Sequence, residues 1–419
     1  MIPFEYALKT LLDTVSSEIP LPDELCEYVP FTACCGRILQ QFVTSDHDLP
    51  PFHKSAVDGY ACMHSDLVAG TPLRLLEAIP AGSVAQQIVT SGTCSKIMTG
   101  AAMPQGADYV LMVEDASENH GFIRCHRKVG TKTNICLQGE DVTANTPILA
   151  PGCNLQPQHI AILTAIGCTS VRVAKKIGVG VISTGDELIE PWEKPLHPQI
   201  RNSNSWQLME QLNRAGALTT YYGIARDNPE SFGEIFSSAI TENRVVVVTG
   251  GVSTGDYDIV PETARHLGFD ILFDRVAVQP GKPTTFGVRK GLGSIEGANT
   301  SEAEGMDMRE SCYFFGLPGN PVSSFVQCEL MVKPFLMKLM GANYVPLSLH
   351  LPLAHPFSRK QAERMSHLPA RIDSSGSCSL VEYHGSGHIT ALDGVQCLVR
   401  IPVGVSSVAA GEAVEIVMV

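Results

Sequence analysis

The tetrapeptide Ser-Thr-Gly-Asp occurs twice, at Ser183 to Asp186 and at Ser253 to Asp256, each time directly after a short aliphatic run. A β-branched run that breaks into glycine and then acid reads as a buried parallel strand releasing its chain at the carboxyl edge of a sheet, where α/β proteins place their ligands. Ile177 to Ile182 leads into Ser183-Thr184-Gly185-Asp186-Glu187, and Val245 to Val248 leads into Thr249-Gly250-Gly251-Val252-Ser253-Thr254-Gly255-Asp256-Tyr257-Asp258. The glycines allow positive φ and let backbone N–H groups approach an anion. Two acidic loops on one edge predict a metal and phosphate site. Cleaving a phosphoanhydride needs the charge on the phosphates neutralised, which Mg²⁺ does while held by one or two carboxylates. Asp256, Asp258 and Glu187 are the candidate metal ligands, and Asp186 has a second reading as the N-cap of a following helix.

A third strand exit runs from Cys312 to Phe315 into Gly316-Leu317-Pro318-Gly319-Asn320-Pro321-Val322-Ser323-Ser324, and helical apolar spacing follows from Phe325 to Met340. The prolines stiffen this loop, and Ser323 and Ser324 are expected where a helix N-terminus accepts a phosphate. A fourth turn, Gln279-Pro280-Gly281-Lys282-Pro283, follows the strand-like Val276 to Val278 and fixes a lysine between glycine and proline. Gln199 to Ser205 precedes a helical stretch through Leu212, so Asn202, Ser203 and Asn204 are candidates for capping that helix or for holding a ligand.

These exits need a sheet with helices on both faces, and the chain is long enough for more. At 419 residues, 44% of them hydrophobic, it should divide into two to four domains. Alternating strands and helices over residues 174–340 predict a doubly wound α/β domain. Short segments punctuated by glycine and proline predict a small β-rich domain over 46–132. Residues 1–45 and 133–173 together form a mixed N-terminal domain, and strand-like pieces over 341–419 predict a C-terminal β-barrel or sandwich. Gly291 to Glu310 has no apolar periodicity and reads as a disordered surface loop.

A net charge of −13 with no basic stretch argues against nucleic acid or an anionic membrane as partner. The thirteen cysteines are odd in number and dispersed, without a Cys-x-x-Cys, which predicts free thiols in a reduced cytoplasm. Phe4, Ala7, Leu8, Leu11, Leu12 and Val15 form an amphipathic helical stripe containing Glu5 and Asp13, unlike a signal peptide. No apolar run reaches the ~18 residues of a membrane span. His384 and His388 have a zinc-like spacing, but Gly385 and Gly387 argue against the helix it would need.

Five long motifs, in order along the whole chain, resemble the molybdopterin molybdenumtransferases, the MoeA-like proteins that include the catalytic domain of gephyrin. They are Pro50-Pro51-Phe52-His53-Lys54-Ser55-Ala56-Val57-Asp58-Gly59-Tyr60-Ala61, Ile97-Met98-Thr99-Gly100-Ala101 with Pro104-Gln105-Gly106-Ala107-Asp108, Gly139-Glu140-Asp141, and the strand exits above. The resemblance implies a multidomain α/β protein of four domains and a homodimer. It also implies a reaction in which adenylated molybdopterin and molybdate give the molybdenum cofactor with Mg²⁺-dependent release of AMP. A molybdopterin adenylyltransferase and acceptor molybdoenzymes are the further partners it suggests.

Carried over by position, the resemblance places Asp58, Thr99, Asp141, Glu187, Asp227 and Asp258 in the catalytic site, with Asp58, Thr99 and Asp141 reaching it across the dimer interface. Asp58-Gly59 is also a turn signal, and Asp141 could cap a local turn. The resemblance puts molybdate contacts at Lys282 and Pro283, with Arg364 and Ser386 approaching from the C-terminal domain. Substrate contacts are expected from Ser183, Thr184, Gly185, Asn204, Gly250, Gly251, Ser253, Pro318, Gly319, Asn320, Pro321 and Ser323. The chain departs from the family pattern at Gln279, where many relatives have lysine, at Glu363, where glycine is usual, and at His53-Lys54, where Asp-Asn is common. Two other function classes fit parts of the chain: an adenylyltransferase using the same α/β fold, and a non-catalytic dimeric scaffold. The Pro-Pro-Phe and C-terminal β segments speak against the first, and retention of Asp58, Glu187, Asp258 and Lys282 against the second.

Overall fold

Side chains alternate across a strand, and the Val245–Thr249 strand shows it: Val245 and Val247 enter one core while Val246 and Val248 enter another. A strand buried on both faces belongs at the centre of a sheet covered by helices on each side. The computed structural model, which describes residues 1–15, 18–67, 72–127, 130–252, 259–291, 311–382 and 387–419, has this arrangement. Six strands lie in the order Leu218–Ala225, Gly178–Thr184, Val245–Thr249, Cys312–Leu317, Thr285–Arg289 and Asp270–Phe273. The first four are mutually parallel, Thr285–Arg289 runs antiparallel to them, and Asp270–Phe273, antiparallel to Thr285–Arg289, returns to the direction of the first four.

Helix Asn204–Arg214 buries Leu208 and Leu212 in the first core, together with Val326 and Phe335 from the last helical segment and Leu11 from the N-terminal helix Phe4–Asp13. Helices Pro229–Glu242 and Ile259–His266 cover the opposite face through Phe232, Phe236 and Val260. The sheet is therefore doubly wound, as expected. The last helix begins at Pro321, four residues before the expected Phe325, because a proline with fixed φ is well suited to the first helical position. It passes through a π-helical turn at Cys328–Val332 and ends at Leu339.

Three further regions flank this unit. Cys26–Pro30 pairs with Ser170–Ala174, and Val29, Leu39, Leu149, Leu163 and Val171 share one core, which ties the N-terminal segment to residues beyond 145. Within 46–132 a six-stranded sheet runs from Tyr109–Met112 to Ala116–Asn119, with a separate core on each face. Gly59 opens one of its strands and makes no turn: a Cβ there would lie 2.1 Å from the Leu111 carbonyl oxygen. In the C-terminal region the strand path is Val278–Gln279, Met365–Ile372, Cys397–Ile401, Ala413–Met418, Ser348–Pro352, with Cys378–Leu380 branching from the second. Its first strand comes from the α/β segment, and among the described residues the path stays open, so of the expected barrel or sandwich the barrel closure is not formed.

Candidate active site

The three strand exits meet through backbone and amide hydrogen bonds. The Gly250 N–H donates to the Leu317 carbonyl at 3.1 Å, and the Thr249 hydroxyl donates to the Pro318 carbonyl at 3.1 Å. Asn204, at the start of its helix, donates through Nδ2 to Thr249 Oγ1 at 3.0 Å and to the Gly319 carbonyl at 2.7 Å. One side chain thus bridges two exits. Asn202 secures the first exit: its Oδ1 accepts from Ser183 Oγ at 3.0 Å and from the Ser205 N–H at 3.3 Å. It is Asn202 that satisfies the helix start, since Ser203 makes no side-chain cap.

The result is a cavity of about 670 Å³ at the carboxyl edge of the sheet. Of the expected site residues, Ser183, Thr184, Gly185, Glu187, Asn204 and Asp227 line it. So do Gly250, Gly251, Pro283 and the turn Pro318-Gly319-Asn320-Pro321. Gly250 and Gly251 have φ of +95° and +61°, and a Cβ on Gly250 would lie 2.5 Å from the Thr184 carbonyl oxygen, so backbone is pressed against backbone here. Thr184 Oγ1 is buried and has no hydrogen-bond partner among the described residues, although it borders this space. A buried hydroxyl without a partner is costly unless something else uses it.

Three carboxylates crowd the first exit. Asp227 is half-buried, and that burial, with the charges of Asp186 and Glu187, raises its pKa above the usual carboxylate value against the lowering effect of the Asp186 N–H bond. Asp186 caps no helix; the chain turns after it into the short strand Leu188–Ile189, and its Oδ1 accepts from the Asp227 N–H instead. Glu187 lies over Gly185, whose hypothetical Cβ would be 2.6 Å from Glu187 Oε2. Among the described residues no three of His, Cys, Asp and Glu converge as a ready-made metal site. Glu187 and Asp227 supply two hard oxygen donors, a set suited to Mg²⁺ with water and phosphate completing the shell.

Other expected residues fall elsewhere. Lys282 is exposed and does not line the cavity, while its neighbour Pro283 does. Arg364 is placed next to this turn by the pairing of Val278 with Met365, and Arg359 Nη1 donates to the Arg364 carbonyl at 2.8 Å. Ser323 and Ser324 are buried in the first helical turn, outside the cavity, and Ser324 Oγ donates to the Pro321 carbonyl at 3.0 Å. Both lie in the first turn of the helix that starts at Pro321, with their side chains buried. Asp58, Thr99 and Asp141 are exposed and outside this cavity; Thr99 donates to Asp58 Oδ1 from both its N–H and its hydroxyl at 2.7 Å. Ser253, Asp256, Asp258, His384, Ser386 and nearly all of 291–310 lie outside the described residues.

Two contributors were not singled out from sequence. Thr249 was read as loop, yet it closes the strand and joins two exits. Arg201 lines the cavity from the short strand Ile200–Arg201, and a lone cation in an otherwise polar segment was the available signal.

The chain is similar along its length to known proteins. Residues 2–167 match the family model for the MoeA N-terminal region (domain I and II), and residues 180–338 match that for the probable molybdopterin binding domain. The chain is 32% identical over 392 residues to a molybdopterin molybdenumtransferase of Staphylococcus epidermidis, covering 91% of this chain and 88% of that one. It is 29% identical over 425 residues to one from Staphylococcus aureus, covering 100% and 95%. The crystal structure of the molybdopterin biosynthesis MoeA protein from Pyrococcus horikoshii OT3 superimposes with a TM-score of 0.81 at 30% identity, covering 100% of both chains.

Proposed function

The chain belongs to the MoeA family of molybdopterin molybdenumtransferases, transferases that insert molybdenum during cofactor biosynthesis, and we propose how its own residues serve that reaction. The cavity at the sheet edge binds adenylated molybdopterin; water cleaves its phosphoanhydride to release AMP, and the dithiolene sulfurs take molybdenum from molybdate, whose displaced oxygen leaves as water. One observation carries this reading: Glu187 and Asp227 line the same cavity as the Gly250-Gly251 backbone and the Pro318–Pro321 turn.

Each group has a task that its surroundings support. Gly250 and Gly251 pack their backbone against Thr184, and the unpartnered Thr184 hydroxyl, which borders the cavity, offers a donor to a ligand oxygen. Asn204 holds the second and third exits at fixed spacing, so the ligand meets a preorganised wall. Glu187 and Asp227 would hold Mg²⁺, which when bound neutralises charge developing on the phosphates. With its raised pKa, Asp227 also takes up a proton more readily than an ordinary carboxyl. Lys282 and Arg364, on and beside the Pro283 turn, supply positive charge for molybdate.

Asp58, Thr99 and Asp141 lie on or beside the small sheet, away from this cavity, which supports a homodimer in which a second copy brings them to it. Free thiols, many of them buried, support a cytoplasmic setting. A molybdopterin adenylyltransferase and acceptor molybdoenzymes are the partners that would supply the substrate and take the product. The test is AMP release from adenylated molybdopterin by the purified protein in the presence of molybdate, with Mg²⁺ and with a chelator. Release only with Mg²⁺ supports the reading; equal release without the metal contradicts the role given to the carboxylates. Sedimentation showing only monomer would contradict the dimer.

A further inference from the structure

We infer that Arg201 is the phosphate-recognising cation of the cavity, an inference that rests on the reading of the site as one for adenylated molybdopterin. Among the described residues Arg201 is the one lysine or arginine that lines this space, which Glu187 and Asp227 also line, in a chain of net charge −13. A phosphate ester entering beside Glu187 and Asp227 meets like charge, and a fixed guanidinium is the group that offsets it with paired donors.

The backbone holds Arg201 in place. Its strand pairs with Leu188–Ile189, with Ile189 opposite Arg201, the Ile200 N–H donating to the Glu187 carbonyl and the Asn202 N–H to the Ile189 carbonyl, both at 2.8 Å. The cation is therefore carried one strand away from the cavity acid. Arg201 Nε donates to the Glu193 carbonyl at 3.0 Å, which anchors the side chain and leaves both terminal amino groups without a protein partner among the described residues. Arg172 and Arg400, by contrast, are committed to carboxylates, Arg172 to Asp23 at 2.6 Å and Arg400 to Glu5 at 2.8 Å. Arg201 has no such partner among the described residues.

Two substitutions separate anchoring from recognition. Arg201→Gln keeps an amide nitrogen at the position of Nε, and so the bond to Glu193, but removes the charged fork. Arg201→Lys keeps the charge and loses the anchor. Calorimetric binding of AMP, molybdopterin and adenosine to the three proteins reads the result. We expect Arg201→Gln to weaken phosphate-bearing ligands at least about tenfold, Arg201→Lys to recover only part of that loss because it restores charge without the fork, and adenosine to be indifferent. Loss confined to AMP assigns the adenylate phosphate, loss confined to molybdopterin the pterin phosphate, and loss of both the bridge between them; each supports the inference. Unchanged affinity of Arg201→Gln for both ligands, or no binding of either by the unsubstituted protein, overturns it. Arg201-dependent binding without any AMP release from adenylated molybdopterin would instead contradict the reading of the reaction.

Discussion

Asp186 and Asp227 hold each other by exchanged backbone donations: the Asp186 N–H reaches Asp227 Oδ2 and the Asp227 N–H reaches Asp186 Oδ1, each at 3.4 Å. The exchange joins the first strand exit to the loop after the neighbouring strand and concentrates negative charge at the cavity wall. Asp227→Asn keeps an oxygen acceptor for the Asp186 N–H while removing one of three crowded charges. We expect its thermal midpoint to hold or rise slightly, because burial and like charge both disfavour the ionised form. AMP release should fall by about a hundredfold or more, a size in keeping with loss of a proton-transfer or metal-binding group. A folded variant with normal turnover would remove Asp227 from the mechanism.

Asp58 is held below the ordinary carboxylate pKa first by the Thr99 N–H and then by the Thr99 hydroxyl. Thr99→Val deletes the hydroxyl donor and leaves the N–H. The Asp58 pKa then rises, so any activity that needs its carboxylate is lost at a higher pH as acid is added. The pH–rate profile of the variant should show its acid limb displaced upward and its alkaline limb unmoved, whereas coincident acid limbs would exclude Asp58 as the group responsible.

Gly250→Ala places a methyl group against the Thr184 carbonyl at a residue whose φ is +95°. Gly376 has φ of +81° but open space around its Cβ position, so Gly376→Ala suffers the backbone strain alone. Urea unfolding should show a loss of about 1 kcal/mol for Gly376→Ala and about 2–3 kcal/mol for Gly250→Ala. Only the second should lose AMP release, since Thr184 must move. Equal stability losses would mean that the glycine contact does not shape the cavity wall.

His367 is 2% exposed and packs against the Phe4 ring at 4.9 Å. Burial, aided by the Arg400 charge, lowers its pKa to about 3. Between pH 6.5 and that value the unfolded chain binds a proton that the folded chain refuses, so stability falls as pH falls through this window. The loss from this residue should be roughly 2 kcal/mol between pH 7 and pH 5. His367→Met should be flatter over the same interval in denaturant titrations, and an unchanged slope would mean that the buried imidazole is not the titrating group.

Much of this arrangement was legible because it depends on local chemistry. A valine run ending in Thr-Gly-Gly can only be a buried strand and its exit, and Val245–Thr249 is that. The Pro318–Pro321 turn was likewise readable from its own residues. What local pattern did not reveal depended on long-range register. Ser323 and Ser324 turned inward because the helix starts at Pro321, and Thr249 became a bridge because Asn204 arrives from a distant helix. Arg201 faces the cavity because its short strand pairs beside Leu188–Ile189. The small-sheet residues Asp58 and Thr99 could be paired with each other only once Gly59 and Ile97 were seen opposite one another across two strands.

The most direct test measures molybdenum bound to the pterin for each AMP released, comparing the unsubstituted protein with Glu187→Gln in the presence of adenylated molybdopterin, molybdate and Mg²⁺. If the cavity at the sheet edge is where molybdenum is inserted, the two products appear together in the unsubstituted protein and both are lost in the folded Glu187→Gln variant. AMP released without molybdenum on the pterin, or undiminished yields from Glu187→Gln, would contradict it.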